Sequence, residues 1–201
     1  MTDRPFAPHT GRNSEPILEV LRIEFRHAKS VLEIGSGTGQ QAAAFAAELD
    51  YLIWQTSDLD ENHAGIRAWL ADAALPNLPE PLSLDVRTAE MRDGAYDAAF
   101  SANTAHIMDI EAVEKMFTFV AAALRNDGVF CLYGPFRQNG EFNTRSNADF
   151  HKSLRGRDPD KGVRHLEDLD RFAAAGDMKR ERLYAMPANN FIAVWRLGDP
   201  P

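Results

Sequence analysis

The stretch Val31-Leu-Glu-Ile-Gly-Ser-Gly-Thr-Gly-Gln40 decides the fold of this chain. A short apolar strand leads into three glycines at alternate positions, and the alanine-rich residues 41–49 then predict a helix. Glycines tolerate positive φ and let a ligand approach the backbone closely. The stretch therefore predicts a strand, a ligand-binding turn and a helix. A tight turn without a ligand is the plain alternative, but it requires neither three glycines nor the acid Glu33.

The spacing of the glycines separates two classes of ligand. A dinucleotide-binding turn would have its third glycine at position 40, where this chain has Gln. E-x-G-x-G-x-G instead resembles motif I of the class I S-adenosylmethionine-dependent methyltransferases, and Glu33 is suited to meet a positive charge. The resemblance implies that the turn holds the methionine end of S-adenosylmethionine. The predicted cofactor contacts here are Glu33, Gly35, Ser36, Gly37, Thr38 and Gly39.

Composition limits the classes of protein that this chain can belong to. Its 201 residues predict a single domain, 1–201, and the net charge of −8 argues against binding along a nucleic-acid backbone. No apolar run approaches the length of a membrane span, so we expect a cytoplasmic protein without membrane contact. No Cys or His spacing indicates a metal site, and Cys131 lies in an apolar run, where a buried thiol is expected. The oligomeric state is unknown at this point.

Strands and helices alternate along the chain from residue 31 to Tyr133. This pattern predicts an α/β fold, a Rossmann-like, doubly wound sheet with ligands at the carboxyl ends of its strands. Two further strands, Lys179–Met186 and Phe191–Leu197, complete a seven-stranded sheet that is mostly parallel and has a closing antiparallel strand. Residues 1–28 and 135–178 are predicted to form lid elements over the site.

Two boundaries follow from local signals. Ser14 is a candidate N-cap and Pro16 suits a first turn, so a leading helix is predicted from about residue 16 to His27. The second strand is predicted over Tyr51–Thr56, which places Asp58 just after it.

Two acids follow strands at positions that suit an adenosine. Asp58 lies about 20 residues beyond the glycine turn, where an acid can accept both ribose hydroxyls; it could instead cap the next helix, with Asp60 as the reserve ribose ligand. Asp85 follows the third strand, where class I methyltransferases place an acid near the adenine amino group. Capping is a nearly equal alternative for Asp85.

The end of the fourth strand, with the sequence Ser-Ala-Asn103-Thr-Ala-His106, supplies candidate catalytic residues. Asn103 is expected beside the cofactor, and His106 could take a proton from an acceptor during methyl transfer. Tyr133, at the end of the fifth strand, is the third catalytic candidate. A lone histidine is more often structural, and that alternative stays open for His106.

Further motifs resemble a particular family, the uncharacterised methyltransferase-like protein 26 group. They are Arg12-Asn13-Ser-Glu-Pro, Trp54-Gln-Thr-Ser-Asp58, Asn103-Thr-Ala-His-Ile, Tyr133-Gly-Pro-Phe, Ser146-Asn-Ala-Asp-Phe and Met186-Pro-Ala-Asn-Asn190. The resemblance implies the class I fold and S-adenosylmethionine as the cofactor, but no substrate. Candidate substrate-binding residues are Arg12, Asn13, Asn147, Arg164 and Asn190.

The leading hypothesis is S-adenosylmethionine-dependent methyl transfer to a small molecule by direct displacement. One alternative is a non-catalytic module that binds the cofactor or a partner protein. A protein or RNA methyltransferase is a further alternative, which the charge balance disfavours.

Overall fold

The computed structural model describes residues 8–90 and 94–198, with the side chains from Ser14 onward. The six helices of this part of the chain are α1 Pro8–Glu24, α2 Gln40–Glu48, α3 His63–Ala73, α4 Ile110–Ala123, α5 Arg145–Arg157 and α6 Leu166–Ala174. The strands are β1 Ser30–Ile34, β2 Ile53–Asp58, β3 Leu82–Ser83, β4 Tyr96–Ala102, β5 Leu124–Gly134, β6 Phe136–Gln138, β7 Glu141–Phe142, β8 Arg164–His165, β9 Met178–Met186 and β10 Asn190–Leu197.

Seven strands form the main sheet in the order β3-β2-β1-β4-β5-β10-β9. The first five pair in parallel, and β10 inserts antiparallel between β5 and β9. The strand order reverses direction at β1, where β2 lies on one side and β4 on the other. This sheet confirms the predicted fold class, and the reversal at β1 is where open α/β sheets bind ligands.

Apolar side chains cover both faces of the sheet. On one face Trp54 contacts Phe45 and Phe100, with ring centroids 5.4 and 5.8 Å away. On the other face Phe117 of α4 meets Trp195 edge to face at 5.0 Å. These two cores fix the strand ends that carry the polar residues described below.

Two boundaries differ from the sequence prediction. Helix α1 begins at Pro8, so Pro16 lies inside it and Ser14 is not its N-cap. Strand β2 runs two residues further than predicted and ends on Asp58 itself, because Ile34 of β1 pairs with Ser57 and extends the ladder. Asp58 is therefore held by the sheet rather than by a loop.

A small second sheet, β7-β6-β8, follows β5 and carries α5 beside it. Helix α6, by contrast, buries Leu166, Leu169 and Phe172 in the main core, and α1 buries Leu18 and Leu21. The segment from β6 to β8 buries fewer large apolar side chains, Phe136, Leu154 and Val163, and its role as a lid stays a prediction. None of the helices in the described ranges is long and apolar enough to span a bilayer.

Candidate cofactor and substrate site

The glycine turn after β1 contains three residues with left-handed backbone. Gly35, Gly37 and Gly39 have φ of 72°, 59° and 83°. A Cβ at Gly35 would lie 2.6 Å from Thr104 Cγ2, and one at Gly39 would lie 2.8 Å from Ile66 Cα. A Cβ at Gly37 would meet nothing within 4 Å. Two of the glycines therefore allow close packing, whereas Gly37 borders open space.

Asp58 closes the turn from the neighbouring strand. Its Oδ2 accepts the Gly37 N–H at 2.7 Å, and its Oδ1 accepts the Leu59 N–H and Asn62 Nδ2, each at 2.8 Å. A carboxylate offers about four acceptor positions. The three donors fix the orientation of the Asp58 side chain and leave one acceptor position on Oδ2.

A cavity of about 670 Å³ opens at this edge of the sheet. Five of the predicted cofactor residues line it: Gly35, Gly37, Asp58, Asp85 and Asn103. Its wall is completed by the loop after β4 and by residues 158–161 that follow α5. The carboxyl ends of β1, β2 and β4 thus meet at one cavity, as the alternating pattern predicts.

Asp85 and Asn103 occupy different kinds of position on this wall. Asp85 accepts the backbone N–H of Arg87 at 3.0 Å and pairs with its side chain, and the hydrogen bonds from Arg87 lower the pKa of Asp85. Capping therefore uses one of its oxygens. Asn103 has φ of 60° and an exposed side chain, and its N–H donates to the Tyr133 carbonyl at 2.9 Å.

The remaining predicted cofactor residues of the turn make hydrogen bonds within the protein. Glu33 is 2% exposed, and its Oε2 accepts Ser36 Oγ at 2.8 Å and Trp54 Nε1 at 3.1 Å. Thr38 Oγ1 accepts the Gln40 N–H at 3.3 Å. None of Glu33, Ser36, Thr38 and Gly39 is among the residues of the cavity wall. Their direct contact with the cofactor stays a prediction.

Burial raises the pKa of Glu33 to about 7, and the charge of Asp58 adds to the rise while the two hydrogen bonds oppose it. The pKa of Glu33 in the folded protein is thus higher than its value of 4.5 in the unfolded chain. Protonated Glu33 therefore contributes its full stability to the fold below pH 4.5, and this stability is lost as the pH rises through about 7. The difference corresponds to about 3 kcal/mol.

We expect the unfolding free energy of Glu33→Gln, relative to that of the native chain, to increase as the pH rises. The increase should reach up to about 3 kcal/mol between about pH 5 and about pH 8, because the glutamine side chain cannot ionise. Urea unfolding at each pH measures the difference in unfolding free energy. Glu19→Gln, on an exposed part of α1, is the control for the loss of one charge. A constant difference between Glu33→Gln and the native chain would contradict the assignment.

His106 lies in the loop after β4 and is 8% exposed. Its ring meets Phe150 of α5 edge to face at 5.3 Å, and its carbonyl accepts the Gly162 N–H at 2.9 Å. Burial, aided by the charge of Arg164, lowers the pKa of His106 to about 4. The imidazole is therefore neutral at pH 7, but it is a weak base.

Tyr133 and four asparagines form a polar group at the end of β5. Asn190 Nδ2 donates to the Tyr133 hydroxyl at 2.8 Å, and burial raises the pKa of that hydroxyl. Asn147, at the start of α5, donates from Nδ2 to Asn143 Oδ1 at 2.8 Å and to the Asn189 carbonyl at 2.9 Å. These bonds join α5 to the turn before β10. The predicted residues Arg12 and Asn13 lie outside the described side chains.

Arg164 is engaged with the backbone. Its Nε donates to the Ala105 carbonyl at 2.9 Å, and its Nη2 donates to the Met108 and Asp160 carbonyls. The side chain thus ties β8 to the loop that carries His106. Contact between Arg164 and a substrate stays a prediction.

Three residues of the site escaped the sequence analysis. Thr104 packs against Gly35 and exchanges a hydrogen bond with Ser101, with 2.7 Å between their hydroxyl oxygens. Asn62 orients Asp58, and Ile107, which is 50% exposed, adds apolar surface to the cavity. Thr104 was within the quoted motif, but its role depends on the approach of β1 and β4.

A family model with the description "Protein of unknown function (DUF938)" matches residues 4–197, which is nearly the whole chain. The chain belongs to this family. The description gives no activity for DUF938 proteins, so membership of this family does not tell what the chain does.

Solved structures of methyltransferases have the same fold as this DUF938 protein. An O-methyltransferase family protein from Burkholderia thailandensis superposes with a TM-score of 0.81 at 14% identity, covering 94% of this chain and 57% of that protein. The S-adenosylmethionine-dependent methyltransferase SibL gives 0.77 at 16% identity, with 95% and 56% coverage. PigF, whose structure includes SAH, superposes with a TM-score of 0.75 at 15% identity, covering 93% of this chain and 63% of PigF. The chain spans little more than half the length of these proteins.

Proposed function

We propose that this DUF938 protein transfers the methyl group of S-adenosylmethionine to a small-molecule acceptor. One observation carries the proposal: Gly37 borders open space on the cavity wall, and its N–H holds the oriented carboxylate of Asp58 at 2.7 Å. The resemblance to the methyltransferase-like protein 26 group and the fold shared with known methyltransferases support it.

The residues of the cavity fit this cofactor. A volume of about 670 Å³ is within the usual range of small-molecule sites. Asp58 keeps an acceptor position for a ribose hydroxyl, and Asp85 is available for the adenine amino group. Gly35, Gly37 and Asn103 would hold the methionine end. When bound, the cofactor supplies a methyl group on a positively charged sulfur, which is already an activated leaving group.

The groups beside the cavity favour positioning over proton removal. A histidine with a pKa of about 4 is a poor base, and the raised pKa of Tyr133 keeps its phenol protonated at pH 7. The protein's contribution is then to align the acceptor and exclude water. We therefore expect an acceptor that is nucleophilic without a strong general base.

The test is a search for methylated product. Purified protein is incubated with methyl-labelled S-adenosylmethionine and fractions of small molecules, and label transfer is followed by mass spectrometry. We expect at least one fraction to yield a methylated compound in amounts exceeding the enzyme. Tight cofactor binding without product in any fraction would contradict the proposal.

The weak basicity of His106 and the protonated phenol of Tyr133 also favour a second candidate function, a module that binds the cofactor without turnover. The observation behind it is that His106 has a pKa of only about 4 and is not among the residues that line the cavity. This module would bind the adenosyl ligands as tightly as an enzyme would, and it would give no product.

We expect His106→Ala to lower turnover about tenfold while leaving the affinity for S-adenosylhomocysteine unchanged, because His106 orients the acceptor rather than the cofactor. Steady-state rates with the identified acceptor and calorimetry measure the two quantities. Since the pKa of His106 is about 4, the native rate should show no titration of this residue near pH 6.5. Equal losses of turnover and affinity would show a structural role instead.

A further inference from the structure

Five basic side chains lie near one another where α5 meets the small sheet. The basic cluster consists of Arg137, His151, Arg155, Arg164 and His165. Arg137 and His165 are partners across β6 and β8, and His151 and Arg155 lie one turn apart on α5. Gly162 packs against the α5 pair, since a Cβ there would lie 2.8 Å from His151 Nδ1 and 3.5 Å from Arg155 Cγ. The Phe142 ring lies 4.9 Å from Arg137 Cζ and 5.2 Å from the His151 ring, which links the two pairs. Three elements thus bring these charges together.

Two arginines of this cluster are not paired with a carboxylate within the described part of the chain, whereas His165 Nδ1 lies 4.0 Å from Glu167 Oε2. Neither Arg137 nor Arg155 has a carboxylate within 4.0 Å there, and the Phe142 ring centroid lies 4.9 Å from Arg137 Cζ. Asp168 acts on Arg137 at longer range, but it is paired with Arg171 at 3.0 Å. The positive charges of Arg137 and Arg155 are therefore available to bind an anion.

Two buried nitrogens of the cluster have no hydrogen-bond partner among the described residues. They are Arg137 Nε and His151 Nδ1. A buried polar group left unpaired costs about 1–3 kcal/mol, and native proteins leave few of them. Burial and the neighbouring cations also lower the pKa of His151. A negatively charged acceptor of hydrogen bonds would satisfy the Arg137 Nε–H, and it would satisfy His151 Nδ1 as well in the tautomer that has its proton on Nδ1.

The cluster is continuous with the proposed methyl-transfer site. His151 follows Phe150, whose ring contacts His106, and Gly162 donates to the His106 carbonyl. Ile107, the next residue after His106, lines the cofactor cavity. One molecule lying over His106 can therefore reach both the cavity and the cluster.

We propose that the basic cluster binds the oxyanion of the methyl acceptor, a carboxylate or a phosphate, and so places the acceptor over His106. This proposal rests on the proposed function, since it names the chemical class of that substrate. In a chain with a net charge of −8, a local cluster of cations selects acids that the rest of the surface repels. Guanidinium groups are suited to carboxylate and phosphate geometry.

The test uses two simple probes, inorganic phosphate and benzoate, on full-length protein saturated with S-adenosylhomocysteine. Nuclear magnetic resonance of the arginine Nε–H groups follows each titration, and the same sample reports binding of the adenosyl ligand separately. Arg137→Gln removes the central guanidinium. Arg145→Gln is the matched control, because it removes one charge from α5 at a side chain that is 95% exposed.

We expect saturable binding of at least one probe in the millimolar range, about −4 kcal/mol, with a shift of the Arg137 Nε–H signal. Arg137→Gln should weaken that binding at least tenfold, and Arg145→Gln should leave it unchanged. Preference for benzoate over phosphate would identify a carboxylic acid, and the reverse a phosphate ester. No saturation by either probe, or equal losses in the two variants, would overturn the proposal even where S-adenosylhomocysteine binds normally.

Discussion

Replacing Asp58 with Ala is expected to weaken binding of S-adenosylhomocysteine about 30-fold, or about 2 kcal/mol. The substitution removes the acceptor for the ribose hydroxyls. It also frees the N–H of Gly37 and of Leu59, which the carboxylate now holds at 2.7 and 2.8 Å. Calorimetric titration of the native chain and the variant measures the change in Kd.

Asp60→Ala is the matched control, because Asp60 was the reserve ribose ligand and its side chain is 81% exposed. We expect its affinity to equal that of the native chain. Thermal unfolding of both variants separates loss of the site from loss of the fold. Equal affinity in Asp58→Ala and the native chain would show that Asp58 only caps the turn.

A second large effect is expected at the glycines, where one substitution should damage the fold and another the site. Gly39→Ala places a Cβ 2.8 Å from the Ile66 backbone at a φ of 83°, and we expect it to cost about 3 kcal/mol of stability. Gly37→Ala meets only open space and should cost about 1 kcal/mol, from its left-handed backbone alone.

The two variants should rank in the opposite order for binding. Gly37→Ala adds a methyl group to the cavity wall and is expected to lose most affinity for S-adenosylhomocysteine while staying folded. Urea unfolding and calorimetry on the same preparations measure both quantities. Native affinity in Gly37→Ala would show that the open space at Gly37 is not part of the ligand site.

The fold could be predicted because its signals are local. The period of apolar residues marked the alternating strands and helices, and the three glycines marked the turn between β1 and α2. The small sheet could not be predicted, because β7 and β8 have two residues each and form only through tertiary pairing. The predicted start of α1 was wrong because Pro16 is compatible both with the first turn of a helix and with the interior of a helix that tolerates proline.

The site was predictable to the extent that strand ends define it. Gly37, Asp58 and Asn103 lie at or just after the ends of three neighbouring strands, and parallel strands end at one edge. The surroundings of Glu33 and Arg164 were not predictable, since their partners are Trp54 and backbone carbonyls distant in sequence. The convergence of Arg137 and His151 on the Phe142 ring was not predictable either, because it depends on how α5 packs against the small sheet.

The central claim is that the cavity beside Gly37 and Asp58 binds an adenosyl sulfonium cofactor. Calorimetric titration of the purified native chain with S-adenosylmethionine, S-adenosylhomocysteine and NAD tests it most directly. The account predicts that the two adenosyl ligands bind with a Kd of about 1 μM, roughly −8 kcal/mol, and that NAD does not bind. Binding of NAD alone, or of none of the three, would contradict the account and leave only the fold.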